Sequence, residues 1–301
     1  MSATETAVLP AKRRKNKKVV ALRAVIFAVL LLYTIFLFAP FYVTIITSLT
    51  SVEELNSSVS FIWWPKEGIT FDSYKTLFTE DPFMYITTIP SLILGFINTM
   101  WMTLLTVFVS LFVSGLAAYS YSKLRFKGRE KLFMLQVATM MIPTAAMTMP
   151  SFLFYDYLGW TGTVLPIIIP GLFGGASTIF FLRMYFDQMS NDTIEAAKLD
   201  GLGVFSIYVK IMIPLSIPAF VAQFIFSFVG GYNNYMGPLL YLYDDPNMWT
   251  LQLALSELTG VFSSNADKCA AAVIALVPLL IFYACLQKLF IEGISVGAGK
   301  E

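Results

Sequence analysis

Glu195, Ala196, Ala197, Asp200 and Gly201 lie in a polar stretch between two long apolar runs, and their types and spacing suit docking rather than bond-making. The stretch covers 187–214, far longer than the roughly four to six residues a simple connection needs. Asp192 with Glu195 three residues later reads as a capping box, which predicts a helix starting there. The residues that follow, through Lys198 and Leu199, are good helix formers. Gly201 permits the left-handed turn that stops such a helix, and Gly203 loosens the chain further. A second short segment, 204–213, carries Lys210 and Ile211 before Pro214 opens the next apolar run. The expectation is helix, turn, helix at a membrane surface. The plainer alternative is an interfacial helix without a partner, in which Glu195 only caps.

Bond-making chemistry has few candidates. The chain has no histidine, so the usual general base and commonest metal ligand are missing. Cys269 and Cys285 fall in one expected span, and a helix would hold them roughly 24 Å apart, too far to bridge. Gly297-Ala298-Gly299-Lys300-Glu301 imitates a phosphate loop, but it lacks the first glycine and a Ser or Thr after the lysine. No catalytic, cofactor or metal site is expected, and the chain is not expected to be an enzyme.

The elements that must position the polar stretch are apolar helices. The chain has 301 residues, of which 57% are hydrophobic and 13% charged. Its mean hydropathy is +0.72, and soluble domains carry about 25% charged residues. Recurrent apolar runs predict an all-α polytopic membrane protein with six transmembrane helices. The expected spans are 24–46, 91–121, 132–155, 162–184, 213–231 and 269–290, the third broken by Pro143 and Pro150. A basic cytoplasmic tail, 1–23, precedes the membrane domain 24–290, which contains the loop 187–213; a short tail, 291–301, closes the chain. The first apolar run is too long for a signal peptide and ends without a cleavage site, so it is read as an uncleaved span. Between spans lie a polar loop at 47–90, with Trp63, Trp64 and a short interfacial helix near 74–78, and a second polar loop at 233–268.

Charge sets the expected orientation. With six spans, all but Lys66, Lys75 and Lys268 of the 20 Lys and Arg residues fall on one side. The positive-inside rule places that side, both termini and the stretch around Gly201 in the cytoplasm. The basic tail needs no nucleic-acid partner, because membrane orientation accounts for it. None of the spans carries a charge in its apolar interior, so a proton relay has no residues to use. Sodium coupling at the proline-broken spans stays open. The energy for any pumping is therefore expected from outside the chain.

Glu195-Ala196-Ala197, three residues, Gly201, nine residues, Ile211 and then Pro214, with Asp200 before the glycine, resembles the coupling motif of permease subunits of binding-protein-dependent ABC importers. Further segments resemble the carbohydrate branch, in particular the maltose-type second permease. They are Trp64-Pro65 with Tyr74, Asn98-Thr99, Ala118-Tyr119 with Arg125 to Gly128, Asn233-Asn234-Tyr235 to Pro238-Leu239, and Gln287-Lys288 to Gly293 with Gly297-Ala298. Leu202, Gly203, Tyr208 and Ile213 depart mildly from the family pattern. The resemblance implies a bacterial cytoplasmic (inner) membrane protein that forms half of a translocation path. Implied partners are a second homologous permease, two cytoplasmic ATPase subunits, an extracytoplasmic binding protein and the lipid bilayer. Each coupling helix would sit in a cleft of one ATPase and move as a lever. Sugars are held by aromatic faces and by amide or hydroxyl groups. Candidates for the path are Asn98, Gln136, Thr139, Gln223, Tyr232, Asn233 and Asn234, each with a plain interhelical hydrogen bond as its alternative. The loop after span five resembles the one that reaches toward the binding protein, with Asp244, Asp245, Asn247 and Trp249 as candidate contacts. The alternatives are a stand-alone secondary carrier or channel, and a membrane scaffold protein.

Overall fold

The computed structural model describes residues 17–58, 62–84, 86–87, 89–261 and 264–298. Lys12, Arg13, Arg14 and Lys15 of the basic tail, and the chain end at 299–301, lie outside the described residues. The protein is all-α. In chain order the first helices are α1 (Lys17–Ser48), α2 (Val52–Ser57), α3 (Asp72–Thr79), α4 (Ser91–Lys123), α5 (Arg129–Thr139) and α6 (Thr144–Tyr157). There follow α7 (Leu165–Leu172), α8 (Ala176–Asp187), α9 (Asn191–Leu199), α10 (Val204–Ile207), a π turn (Tyr208–Met212) and α11 (Ile213–Leu215). The last are α12 (Ile217–Tyr232), α13 (Met236–Tyr241), α14 (Leu251–Val261) and α15 (Asn265–Ala298).

Four stretches among the described residues are long and apolar enough to cross a membrane: Leu22–Ser48, Ser91–Lys123, Leu165–Asp187 and Asn265–Gln287. Two further pairs pass the same test only together, α5 with α6, bent by 93°, and Val204–Leu215 with α12, bent by 81°. The first bend falls where Pro143 caps α6 in an extended conformation. Pro150 lies inside α6 without ending it, contrary to the expected double break.

The fifth expected span also starts later than its proline suggested. Pro214 belongs to α11, on the near side of the bend, and the chain turns at Ser216 (φ −111°, ψ 12°). Pro218, in the first turn of α12, supplies the reason: it has no N–H for the carbonyl four residues back and disfavours helical geometry before it. Pro214 likewise withholds a bond from the preceding turn, which widens to π geometry with Ile213 N donating to Tyr208 O.

The stretch 233–268 is not the expected polar loop. It holds α13, a short 3₁₀ turn (Pro246–Met248) and α14. Leu251, Ala254, Leu255 and Leu258 recur at helical spacing and bury α14 in the core. Two carboxylates in the loop at 47–90 are structural too. Glu54 accepts the Lys66 and Glu67 backbone N–H groups at 2.9 and 3.3 Å. Asp81 accepts Phe83 N at 2.9 Å and Ser91 N at 2.5 Å, so it stabilises the exposed N–H end of α4.

α4 is the hub on which α7, α8, α12 and α14 pack. One core cluster, at its Ser91 end, joins Leu77, Leu92, Phe228 and Trp249 to α14 and α15. A second, at its Lys123 end, joins Ala118 and Tyr119 to α8 and also takes in Ile194, Ala197, Ile207 and Tyr208. The polar stretch singled out above is therefore packed onto the membrane helices as part of a core.

Candidate functional site

α9 is built from its caps. Its N-cap is Ser190, whose Oγ accepts Asp192 N at 3.1 Å, so the helix starts at Asn191 and the expected cap at Asp192 is displaced. Ser190 holds the extended conformation a cap requires, and Asp192 falls in the first turn, where a carboxylate favours the helix dipole. At the other end Gly201 (φ +81°) takes the left-handed conformation. Gly201 N donates to Lys198 O and Leu202 N to Ala197 O, both at 3.0 Å, which is the Schellman pattern.

The two faces of α9 differ. Ile194 and Ala197 are buried against the second core. Glu195, Ala196, Lys198, Asp200 and Gly201 point outward with Leu199, which is 89% exposed. Ile211 is half-buried on the same core and Pro214 is exposed. Beside α9 opens a cleft of about 580 Å³ lined by Lys123, Arg125, Arg129, Asn191, Glu195 and Lys198, in which positive charge predominates.

Polar ties hold this surface to the helices behind it. Lys123 Nζ donates to Met189 O at 2.6 Å and Asn191 Oδ1 at 3.1 Å, and Ser122 Oγ to Asp187 Oδ1 at 2.6 Å. Arg183 Nη2 reaches both carboxylate oxygens of Glu130 at 2.9 and 2.8 Å, with its guanidinium 3.9 Å above the Phe133 ring. These contacts join α4, α5 and α8 around the start of α9.

The seven path candidates do not form one site. Asn98 is buried, and its Nδ2 donates to Asn247 O and Trp249 O, both at 2.9 Å. Its Oδ1 accepts Trp101 Nε1 at 3.2 Å, so its amide is fully used in packing. Tyr232 is buried and donates to Ala275 O at 2.9 Å. Gln136 and the exposed Thr139 lie together on α5, Thr139 Oγ1 donating to Gln136 O at 2.6 Å. Gln223 is half-buried on α12. Asn233 lines a cleft of about 490 Å³ with Gln252, Ser256 and Lys268.

Asn234 alone of the seven lines a cleft of about 240 Å³ between α4, the α7–α8 link and α12. The other polar groups on that cleft are Thr99, Thr103, Thr106, Ser110, Ser227 and Thr250, which the sequence reading passed over. A usable signal existed: residues 99, 103, 106 and 110 are spaced to share one face of a helix. Behind the cleft wall Tyr241 packs with Met102 and Ile168. Burial, and after it the Tyr155 phenol, pushes the Tyr241 hydroxyl above its ordinary pKa, so it stays neutral.

The expected binding-protein contacts split. Asp244 and Asn247 are exposed and Asp245 is half-buried, its carboxylate accepting Asn247 N at 3.0 Å. Trp249 is 3% exposed, packs edge-on against Phe83 and donates to Tyr243 O at 2.9 Å. Its indole is a core anchor and offers no surface for docking here.

Long apolar helices and a packed polar helix-turn-helix define an integral-membrane transport component. Residues 111–296 match the family described as binding-protein-dependent transport system inner membrane component, and the chain belongs to that family. It is 32% identical over 237 residues to the arabinooligosaccharides transport system permease protein AraQ of Bacillus subtilis (strain 168), covering 77% of this chain and 79% of that one. It is 29% identical over 291 residues to the polygalacturonan/rhamnogalacturonan transport system permease protein YtcP of the same organism, covering 91% and 96%. Its fold matches, with TM-score 0.74 and 24% identity, a chain from the crystal structure of a bacterial ABC transporter involved in the import of the acidic polysaccharide alginate, covering 94% of this chain and 100% of that one. Membership favours a transport-system component over a stand-alone carrier or a scaffold. It also makes the chain a membrane component rather than an enzyme.

Proposed function

We propose that the chain is one of two permease subunits of an ATP-driven importer that takes up a sugar or oligosaccharide delivered by an extracytoplasmic binding protein. The observation that carries this is α9: Ile194 and Ala197 anchor it to the core, while Glu195, Ala196 and Leu199 face outward. An exposed leucine on a capped, core-anchored helix suits a protein cleft, and a stiff helix can pass on a displacement where a loose loop cannot. Two cytoplasmic ATPase subunits would supply that displacement, one of them gripping α9, and the positive cleft beside it suits an acidic rim on that subunit. On this reading each bent pair is one span, giving six, with the Gly201 turn and both termini in the cytoplasm. Sugar as cargo is favoured by the relatives, which are named for arabinooligosaccharides, polygalacturonan/rhamnogalacturonan and melibiose/raffinose/stachyose.

The test is purification of the intact complex in mild detergent, with a photocrosslinker at Leu199. The expected products are a second permease of similar fold and a crosslink from Leu199 to a nucleotide-hydrolysing subunit. A chain that purifies alone, or a Leu199 probe that labels only from the outer side, overturns the proposal.

A further inference from the structure

Trp63, Trp64, Ile69 and Phe71 follow one another along the loop after α1, and all four are exposed, the two tryptophans by 73% and 60%. Large apolar side chains gathered so closely on a surface mark an interaction site. The helix expected to be interfacial, α3, takes no part in it. Leu77 is fully buried, and Tyr74 and Phe78 pack against the same core. The surface chemistry sits in the loop before α3.

One hydrogen bond fixes the depth of this patch. The Tyr42 hydroxyl donates to the Trp63 carbonyl at 2.5 Å, so the loop doubles back beside α1 instead of rising into water. The sequence of α1 carries no charge from Ala24 to Ser48. A hydrocarbon core takes about 20 residues of helix, and wherever it is laid on that stretch it includes Tyr42. The Trp63 backbone therefore lies at the edge of the hydrocarbon. Later residues are fastened at the Ser48 end of α1 as well. Thr70 N donates to Leu49 O at 3.0 Å, Ser51 Oγ donates to Glu67 Oε2 at 3.0 Å, and Pro65 is buried.

We propose that residues 63–71 are a membrane anchor whose tryptophans bind phospholipid where headgroups meet acyl chains, in the leaflet at the Ser48 end of α1. Lipid is the occupant because the patch continues a lipid-facing surface. Phe38, Phe41, Tyr42 and Ile45 are exposed at helical spacing, so they share one face of α1, and Trp63 is fastened to that face. Indoles suit this boundary, with the N–H toward the headgroups and the ring toward the chains. Among the apolar side chains stand Lys66 and Glu67, with Asp72 after them, so positive charge is not in excess and no anionic headgroup is called for. A zwitterionic lipid suffices. The anchor requires only that α1 cross the bilayer, so it stands or falls apart from the importer reading.

The test is tryptophan fluorescence of the full complex in phosphatidylcholine nanodiscs. Wild type is compared with the double variant Trp63→Phe and Trp64→Phe, and the difference signal reports these two indoles alone. Both positions are exposed, so exchanging indole for phenyl leaves the packing in place. Lipid brominated high on its acyl chains should quench the difference signal about twofold or more, lipid brominated near the chain ends less, and iodide in the water little. Adding phosphatidylglycerol should leave this pattern unchanged. Quenching by iodide and not by lipid puts the indoles in water and overturns the anchor. Quenching by neither places them under another subunit and overturns it too. Lipid quenching that appears only with phosphatidylglycerol overturns the zwitterionic preference.

Discussion

The Tyr208 hydroxyl donates to the Phe112 carbonyl at 2.7 Å, tying the π turn that follows α9 and α10 to the middle of α4. Tyr208 is fully buried, stacked on Tyr119 at 5.8 Å, and its oxygen reaches α4 only because residue 115 is glycine. A Cβ there would lie 2.5 Å from that oxygen and 2.6 Å from Phe220. This is one of the positions where the chain departs from the family pattern it resembles, and the added hydroxyl finds its acceptor in a carbonyl of α4. The helix-turn-helix around Gly201 is thereby joined to α4 by a packed aromatic strut.

Tyr208→Phe keeps the ring stack and loses one hydrogen bond, so it should cost about 1 kcal/mol. Tyr208→Ala empties a packed site and should cost about 3–5 kcal/mol. Thermal unfolding of the purified complex distinguishes the two. Equal losses would mean that the ring contributes nothing beyond its hydroxyl.

Gly201 and Gly203 form a matched pair for testing the docking turn. Neither has an atom within 4 Å of a built Cβ, but only Gly201 has positive φ. Gly201→Val should cost about 1–2 kcal/mol through backbone strain alone. Gly201→Trp should abolish transport while leaving expression intact, and Gly203→Ala should be close to neutral. Normal uptake by the Gly201→Trp variant would speak against docking at this turn.

Asn98→Leu should destabilise the Ser91 end of the bundle. It leaves the Asn247 and Trp249 carbonyls and the Trp101 indole without their partner. The Trp249 carbonyl, whose bond is buried, is the group that water does not readily reach, and orphaning it costs about 1–3 kcal/mol, so the loss should appear as poor expression and a lowered melting temperature. A sugar-binding role without a structural one would instead raise KM in a normally stable protein.

Glu130→Gln should loosen α5 from α8, because it removes the charge and one of the two acceptor oxygens, leaving the Arg183 guanidinium at most one neutral hydrogen bond to residue 130 beside its longer contact with Asp187 at 3.6 Å and its place over Phe133. Faster hydrogen exchange in the first turns of α5, with α8 unchanged, is the expected readout. High salt should move wild type in the same direction.

Asp244→Arg is the cleaner probe of the binding-protein contact, since Asp244 is exposed whereas Trp249 and Thr250 are buried. Deleting 245–250 would remove core residues and report on folding alone. Charge reversal at Asp244 should lower uptake at limiting binding protein and leave the melting temperature unchanged.

The helical membrane class, the helix-turn-helix at 191–212 and its glycine stop were all legible in the chain, because they rest on local properties. Apolar runs long enough to span a bilayer need no tertiary partner to be recognised, and a left-handed turn selects glycine at Gly201 by sterics within the backbone. The proline bends were half legible. Pro143, Pro150 and Pro214 marked where helices are disturbed, but which of them turns the chain depends on what packs against the two halves, and the second bend falls to Pro218. Placement was not legible at all. Asn98 and Tyr232 look like cavity groups until their partners, 151 and 43 residues away, are brought beside them. Trp249 looks like a surface anchor until α14 folds back into the core beside it. The unpaired Thr106 and Thr250 hydroxyls could be recognised only once helices distant in sequence had closed around them. Local backbone and hydropathy rules set which segments become helices and where they stop. Which polar atoms stay unpaired is decided by contacts between remote segments, and only the assembled bundle creates those.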